Sequence, residues 1–401
     1  MILQPSILTL SVLSIPAVVS DWPQWRGPDR TNVSSEKDWK VKGAKKWEAS
    51  VGLGYSSVVI ADEKLYTHGH DVDAGEDTIY CLDVEDGGEI WTHRFPCRIW
   101  KEAHEGGSLV TPSIDGDVVY SLEREGQLFC LNAEDGKVLV EKKLADEWKA
   151  VPGTWGFAAS PLVLEDMVVL NVGRVVAVKK KSLEVLWKTD KDYGDAYATA
   201  TAFDLEGQPC LAVFNRTGLV VLERKTGEEV ARHPWETQYN INAATPIALG
   251  SKVFISSGYN RGCALVDFTG KKAKVVWESK VMRNHMSGCV LYLDHLYGFD
   301  DNVLKCIDLQ GNEKWRERDT GKGALTLADG KLIVASGKGE LLIAEASPSE
   351  FKALNREKVL DGGVYWTPPV LCDGCIYIRN NHGQLVCLDH SAKTASGAAR
   401  E

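Results

Sequence analysis

The chain has 401 residues, of which 44% are hydrophobic, and a formal net charge of −10. This hydrophobic share is sufficient for a packed core, and the length suits either two or three domains or a single repeat architecture. Because the chain is acidic and has no Lys/Arg run long enough to follow a phosphate backbone, we do not expect it to bind nucleic acid.

The first twenty residues differ from the rest of the chain. Residues 2–19 are almost wholly apolar, and Ser20 provides a small residue before Asp21. This pattern predicts a signal peptide over residues 1–20 and therefore a periplasmic or secreted protein. A retained membrane anchor is the alternative, although the segment is short for a span and lacks basic flanks. No Cys lies near the cleavage point, so a bacterial lipoprotein anchor is not supported, and no later segment is long enough to span a membrane.

An internal repeat is the strongest signal in the sequence. Its clearest copies are Ile79–Asp83, Leu128–Asn132, Leu304–Asp308 and Leu385–Asp389. Degenerate copies begin at Val175, Leu219, Cys263 and Leu341. The eight copies recur about every 44 residues, a spacing that is typical of propeller blades.

Each repeat divides into short strands separated by turn residues. The first repeat has strand patterns at Ser56–Ile60, Lys64–Thr67, Thr78–Leu82 and Glu89–Thr92. Apolar and polar residues alternate in them, as half-buried antiparallel strands require. The turn after each third strand carries an Asp or Asn and then a Gly, which suits the positive φ that ends the turn. A parallel α/β fold is excluded because crossover helices are missing.

Tryptophans close five of the fourth strands, where an indole can pack between neighbouring blades. They are Trp47, Trp91, Trp187, Trp277 and Trp315. The last repeat, Trp366 to Asp389, has only three strands, so we expect Ala44 to Val51 to supply the fourth. The sequence therefore predicts an all-β fold, an eight-bladed β-propeller of four-stranded antiparallel blades over residues 44–389, closed by the N-terminal strand. Residues 21–43 form an N-terminal extension, and residues 390–401 a disordered tail.

The ten cysteines are not expected to form a disulfide framework. Four of them occupy the same position in different repeats, too far apart to bridge, and are interpreted as small buried hydrophobes. These are Cys81, Cys130, Cys306 and Cys387. Cys372 and Cys375 flank an Asp-Gly turn, where they either bridge or are ordinary strand residues.

The segment from Cys81 to Trp91 resembles the tryptophan-docking motif of pyrroloquinoline-quinone-like (PQQ-like) propeller repeats, with Cys81 where the family usually has Ala. The similarity runs from about Ala44 to Asp389. One branch of this family, the quinoprotein dehydrogenases, holds the quinone and Ca²⁺ at the propeller centre beside a pair of adjacent cysteines, which this chain lacks. The chain is also similar to the propeller subunit of the outer-membrane protein assembly machine, a non-enzymatic scaffold that is usually a lipoprotein.

The resemblance implies a non-enzymatic binding scaffold of the cell envelope. We expect no cofactor, a protein, peptide or glycan partner, and a monomer. The alternative is a quinoprotein-type oxidoreductase that uses PQQ and Ca²⁺ in the central channel. No Ser or Cys nucleophile with a fixed base can be paired from the sequence, so no catalytic residue is assigned.

In a propeller, the loops into the first strands and the loops between second and third strands crowd one face around the axis. Aromatic and basic residues in these loops are predicted to form a channel mouth for a peptide, a glycan or a small anion. They are His104, Trp155, Arg174, Tyr197, Arg261, His285, Trp366 and His382. The alternative is that they are ordinary loop residues whose aromatic rings fill the channel.

A second candidate site is the acidic loop around Gly75. Its carboxylates, Asp71, Asp73 and Asp77, are candidate Ca²⁺ ligands because this hard cation takes several oxygen ligands. A solvated acidic loop is the alternative interpretation.

Overall fold

A computed structural model describes residues 21–99 and 104–392; the predicted signal peptide and the last nine residues lie outside this range. The described strands form eight sheets, and the strands of each blade are antiparallel neighbours in chain order. First strands of successive blades lie side by side around the axis, as in blades 1 and 2. The predicted all-β, eight-bladed propeller is confirmed.

The strand bounds follow the repeat. Blade 1 contains Val59–Ala61, Lys64–Asp71, Glu76–Asp83 and Glu89–Pro96. Blade 2 contains Ser113–Asp115, Val118–Leu122, Gln127–Asn132 and Val138–Lys143. Blade 3 contains Leu162–Val163, Val168–Val172, Arg174–Val178 and Val185–Lys188. Blade 4 contains Thr201–Leu205, Gln208–Asn215, Gly218–Glu223 and Glu229–Pro234.

The second half of the ring has the same plan. Blade 5 contains Ile247–Leu249, Lys252–Ser257, Gly262–Asp267 and Lys274–Ser279. Blade 6 contains Val290–Tyr292, His295–Asp300, Val303–Asp308 and Glu313–Glu317. Blade 7 contains Ala324–Ala328, Lys331–Ala335, Glu340–Glu345 and Ala353–Lys358. Blade 8 contains Val370–Cys372, Cys375–Arg379 and Gln384–Asp389. The described helices are the α-helix Leu144–Trp148 and the 3₁₀ turn Thr269–Lys271.

The N-terminal strand closes the ring, as predicted. Ala44–Ser50 pairs antiparallel with Gln384–Asp389 and becomes the fourth strand of blade 8. A second N-terminal strand, Val33–Ser34, runs parallel to Ala324–Ala328 and adds a fifth strand to blade 7. These pairings join the two ends of the propeller by backbone hydrogen bonds and cover strand edges that would otherwise be exposed.

Each of the five tryptophans that close a fourth strand joins its blade to the next one. Its indole N–H donates to a backbone carbonyl of the following blade, at 2.7–3.0 Å. Trp91, for example, bonds to Ala133 O in the turn after the third strand of blade 2. A Cβ on Gly136 of that turn would lie 2.5 Å from the Trp91 ring, and Gly136 has φ 69°. The turn glycine therefore provides both the backbone conformation and the space for the indole.

The cysteines of the repeat behave as predicted from their position. Cys81, Cys130, Cys306 and Cys387 are fully buried, and none of the ten cysteines, all of which lie in the described part of the chain, forms a disulfide. Cys372 and Cys375 are cross-strand neighbours beside their turn but do not form a disulfide. Among the described residues, no helix is long and apolar enough to cross a membrane.

The N-terminal extension runs across the central channel. It bonds to blade 1 through Trp22, to blade 5 through Trp25, to blade 6 through Arg26 and to blade 7 through Asn32. Because blades 1 and 5 lie on opposite sides of the ring, the chain between Trp22 and Trp25 must cross the axis. Burial lowers the pKa of Arg26 to about 10, and its guanidinium donates to three backbone carbonyls. No structural role was predicted for this segment from its residues.

The chain also continues in an ordered form just beyond the last strand. His390, which the sequence places in the tail, is buried with its ring edge-on to Trp39. Its backbone N–H donates to Gly374 O, and its Nδ1 lies 2.7 Å from Lys40 O.

Candidate functional site

A cavity of about 230 Å³ lies where the loops that lead into the first strands converge around the axis. Most of its surface is apolar, and aromatic rings are the most frequent lining groups. The rings that line it belong to Trp25, Tyr55, His104, Trp155, Tyr197, Tyr259, His285 and Trp366. We call this the aromatic cavity. Apolar surface with a few convergent polar groups is the usual composition of a ligand-binding site.

Five of the predicted channel-mouth residues line the aromatic cavity: His104, Trp155, Tyr197, His285 and Trp366. Each lies in a loop that leads into the first strand of a blade, and the repeat places all these loops on one face. The position of these five residues in the repeat therefore predicted that they lie close together. Their role in binding stays a prediction.

Several of the aromatic rings that line the cavity, which together form its wall, pack against one another. Tyr55 stacks on Trp366, with ring centroids 5.0 Å apart and planes inclined by 18°. The ring contacts continue from Tyr55 to His104 at 5.3 Å and from His104 to Trp155 at 5.5 Å. Aromatic contacts at these distances fix the orientation of each ring. The wall is therefore a preformed surface.

Hydroxyl groups at the base of the wall are already engaged in joining blades. The backbone N–H of Ser57 donates to Thr111 Oγ1, that of Thr111 to Ser160 Oγ, and that of Ser160 to Thr199 Oγ1, all within 2.9–3.1 Å. This series connects blades 1 to 4. Each of these oxygens therefore has one of its two acceptor positions occupied by the backbone, while its O–H can still donate.

The titratable groups of the aromatic cavity are neutral near pH 7. Burial and the neighbouring Lys322 lower the pKa of His285 to about 4, and Lys322 Nζ lies 2.9 Å from its Nδ1. Burial and Arg124 also lower the pKa of His104, whose Nδ1 accepts the backbone N–H of Gly106. Burial raises the pKa of Tyr55 to about 12.

The structure places the other three predicted residues outside the aromatic cavity. The Arg174 guanidinium donates to Thr189 O, and that of Arg261 lies 3.4 Å from the Trp235 ring centre and 2.6 Å from Glu278. Arg174 begins the third strand of blade 3 and Arg261 immediately precedes that of blade 5, and each guanidinium bonds to the fourth strand of its own blade or to the residue just after it. His382 pairs with Glu105 at 3.0 Å. The expected positive potential is thus not supplied by the described lining residues, none of which is Arg or Lys.

The three candidate Ca²⁺ ligands do not face one another. Asp71 is exposed, and its Oδ1 accepts the backbone N–H groups of Asp73 and Ala74 at 3.0 Å, which closes the hairpin turn. Asp77 is fully buried and bonds to His70. In the register of the two strands, Asp71 lies opposite Glu76, and His70 lies opposite Asp77. Because side chains alternate along a strand, Asp71 and Asp77 are on opposite faces of the hairpin.

Three aromatic residues of the cavity were not predicted from the sequence. Tyr55 lies in the loop into the first strand of blade 1. The predicted aromatic residues occupy the same kind of loop in other blades, so this position could have identified Tyr55 as a lining residue. Tyr259 lies in the same inner loop as the predicted Arg261, and it is Tyr259 that lines the cavity. Trp25 belongs to the N-terminal extension and donates to Thr245 of blade 5 at 3.0 Å. No sequence pattern indicated that the extension reaches the axis.

Solved structures with a similar fold include BamB, a quinohemoprotein alcohol dehydrogenase and a designed protein. BamB from Moraxella catarrhalis is 15% identical, with a TM-score of 0.65, and the alignment covers 87% of this chain and 100% of the BamB chain. The quinohemoprotein alcohol dehydrogenase from Comamonas testosteroni is 11% identical, with a TM-score of 0.62, and the alignment covers 95% of this chain and 82% of the dehydrogenase chain. The computationally designed Ika8 protein is 13% identical, with a TM-score of 0.61, 86% of this chain covered and 99% of that chain. These likenesses show the fold.

No curated protein sequence matches the chain significantly. A family model described as outer membrane protein assembly factor BamB matches residues 75–317, which is more than half of the chain. Together with the repeat and the eight-bladed fold, this match shows that the chain belongs to the PQQ-like propeller family of the outer membrane protein assembly factor BamB.

Proposed function

We propose that this protein is a non-enzymatic scaffold of the cell envelope that binds a protein partner by accepting an apolar or aromatic side chain in the aromatic cavity. The observation that carries this proposal is the preformed wall of packed rings, in which Tyr55 stacks on Trp366 and contacts His104. The family supports a protein partner, and the predicted signal peptide supports a periplasmic or secreted location.

The chemistry of the cavity favours a side chain over an anion or a glycan. An anion would need fixed cations, and the described lining contains neither Arg nor Lys. A sugar ring would need a larger set of free hydrogen-bonding groups than Tyr197 Oη and His285 Nε2, which are buried without a partner among the described residues, and the hydroxyl oxygens of Thr111, Ser160 and Thr199 each already accept one backbone N–H. The cavity of about 230 Å³ is also smaller than most sites for whole ligands, which occupy about 300–1,000 Å³.

A quinoprotein-type oxidoreductase is the second candidate, since the fold is shared with quinohemoprotein alcohol dehydrogenase. The residues present do not fit that cofactor. PQQ carries carboxylates, and its Ca²⁺ takes several oxygen ligands from carboxylates and carbonyls. The described lining of the aromatic cavity offers no carboxylate and no basic side chain other than neutral imidazoles. We therefore derive no reaction at this site and expect no dye-linked alcohol dehydrogenase activity with added PQQ and Ca²⁺.

The test uses peptides selected from a random displayed library on the immobilised protein. We expect enrichment of peptides that contain Trp, Phe or Leu, and we would measure their Kd by fluorescence anisotropy. Trp155→Ala and Trp366→Ala should each weaken binding by about 1–3 kcal/mol, as expected for aromatic anchors, while thermal unfolding shows that the variants remain folded.

Leu293→Ala is the matched control, because Leu293 is 70% exposed and lies in a first-to-second-strand turn, on the face opposite the aromatic cavity. The proposal is wrong if no peptide is enriched, or if Leu293→Ala weakens binding and the two tryptophan variants do not. Turnover of any primary alcohol after addition of PQQ and Ca²⁺ would favour the second candidate.

A further inference from the structure

A separate group of buried polar side chains lies between blades 1 and 2, outside the lining of the aromatic cavity. His70 and Asp77 lie opposite each other on the second and third strands of blade 1. Cys97 follows the fourth strand of blade 1, and Glu123 follows the second strand of blade 2. All four are at most 5% exposed. Burial of this many polar groups needs a compensating interaction.

The side chains converge on the Cys97 thiol. One ligand atom from each of His70, Asp77 and Cys97 lies within 4.8 Å of the other two, and the same holds for Cys97, Glu123 and Glu125. His70 Nδ1 is 2.6 Å from Asp77 Oδ1, and Cys97 Sγ is 3.1 Å from Glu123 Oε1. Cys97 belongs to both trios and is therefore the centre of the group.

The protein leaves part of this group unsatisfied. His70 Nε2 is buried and makes no hydrogen bond within the described residues. Burial raises the pKa of Glu123 and, together with the Asp77 and Glu123 carboxylates, raises the pKa of the Cys97 thiol. The nearby Arg124 guanidinium donates to the backbone carbonyls of Gly107 and Trp155. Asp77 already lies 3.3 Å from His68 Nε2 and 2.6 Å from His70 Nδ1, so a cation at the centre would mainly compensate the Glu123 carboxylate and a Cys97 thiolate.

We propose that His70, Asp77, Cys97 and Glu123 form a structural Zn²⁺ site. Imidazole nitrogen, thiolate sulfur and carboxylate oxygen are the ligands of protein-bound zinc, whereas Ca²⁺ and Mg²⁺ take oxygen ligands. Binding would release the Cys97 thiol proton to solvent and form the Zn–S bond. The two trios share only Cys97, so bonds of about 2.0–2.3 Å to one ion require Glu123 to move toward His70 and Asp77 when the metal binds.

Four protein ligands leave no open position, so the ion would have a structural role. It would join blade 1 to blade 2. Asp77, one of the proposed ligands, also accepts a hydrogen bond from the Ser108 hydroxyl, whose Oγ lies 3.1 Å from Asp77 Oδ2.

Cobalt(II) is the probe for the test, because its thiolate complexes absorb in the near ultraviolet and its tetrahedral complexes absorb in the visible. The full chain is freed of metal with EDTA and titrated with Co²⁺ and then with Zn²⁺. We expect one equivalent of Co²⁺ to produce both absorptions and one equivalent of Zn²⁺ to abolish them. The absence of a thiolate band in the wild-type protein would overturn the proposal, whatever the variants do.

Cys97→Ser should remove the thiolate band and weaken Zn²⁺ binding by at least on the order of 100-fold. Cys130→Ser is the matched control, since Cys130 is an equally buried thiol of blade 2 in an apolar cluster. Zn²⁺ should raise the melting temperature of the wild-type protein and of Cys130→Ser, but not that of Cys97→Ser. A thiolate band that persists in Cys97→Ser would assign the metal to another cysteine and contradict the site.

Discussion

Closure of the ring depends on a buried arginine at the junction of blades 8 and 1. Arg379 ends the second strand of blade 8 and is 2% exposed. Its Nη1 donates to Thr67 Oγ1 at 3.0 Å and to His68 O at 3.1 Å, and its Nη2 donates to Gly52 O and Gly54 O at 3.2 Å. Burial lowers the pKa of Arg379 to about 10, so the side chain is still protonated at pH 7.

Arg379→Met should therefore destabilise the protein strongly while preserving most of the buried volume. Hydrogen bonds to a charged group contribute about 1.5–3 kcal/mol each; the four that join the blades would be lost, together with the longer one from Nε to Asn380 O. Burial of the guanidinium itself costs several kcal/mol, which the variant recovers. We expect a net loss of about 3–5 kcal/mol in the free energy of unfolding.

The assay is urea unfolding followed by tryptophan fluorescence, with the midpoint compared at equal slope. Arg316→Met is the control, because the Arg316 side chain is 43% exposed and pairs with Glu313 on its own strand, an interaction that contributes about 0–1 kcal/mol. If Arg379→Met loses no more stability than Arg316→Met, the arginine does not join the two blades and the reasoning fails.

Two further predictions concern the N-terminal extension and His285. Deletion of residues 21–43 should lower the free energy of unfolding by at least about 3 kcal/mol, because Trp22 and Trp39 are buried. Deletion of residues 391–401 should not lower it. Equal urea midpoints for the two deletion variants would contradict this prediction. The pKa of His285 is lowered from 6.5 to about 4, so the unfolded chain binds more protons between these values. Stability should fall as the pH goes from 6.5 to 4, and an equal fall in His285→Gln would exclude this histidine as the cause.

The blades and their closure could be predicted from the sequence because they depend on local, repeated signals. Strand alternation and turn glycines recur in each copy, and Trp47 precedes the first full repeat, which identified Ala44–Ser50 as the missing fourth strand. The repeat also fixes which face a loop occupies. The period alone therefore assigns five residues to one mouth of the channel, namely His104, Trp155, Tyr197, His285 and Trp366.

Only the tertiary structure decided where long side chains point and which distant segments meet. Arg174 and Arg261 occupy the predicted loops, but their guanidinium groups bond along the fourth strands, since acceptors are available there. Trp25 reaches the aromatic cavity because the extension crosses the axis, and Cys97 meets Glu123 because two blades pack side by side. A one-dimensional pattern records the period of a fold and the face of each residue. Contacts between segments without a period depend on how the blades pack, and the sequence pattern does not encode them.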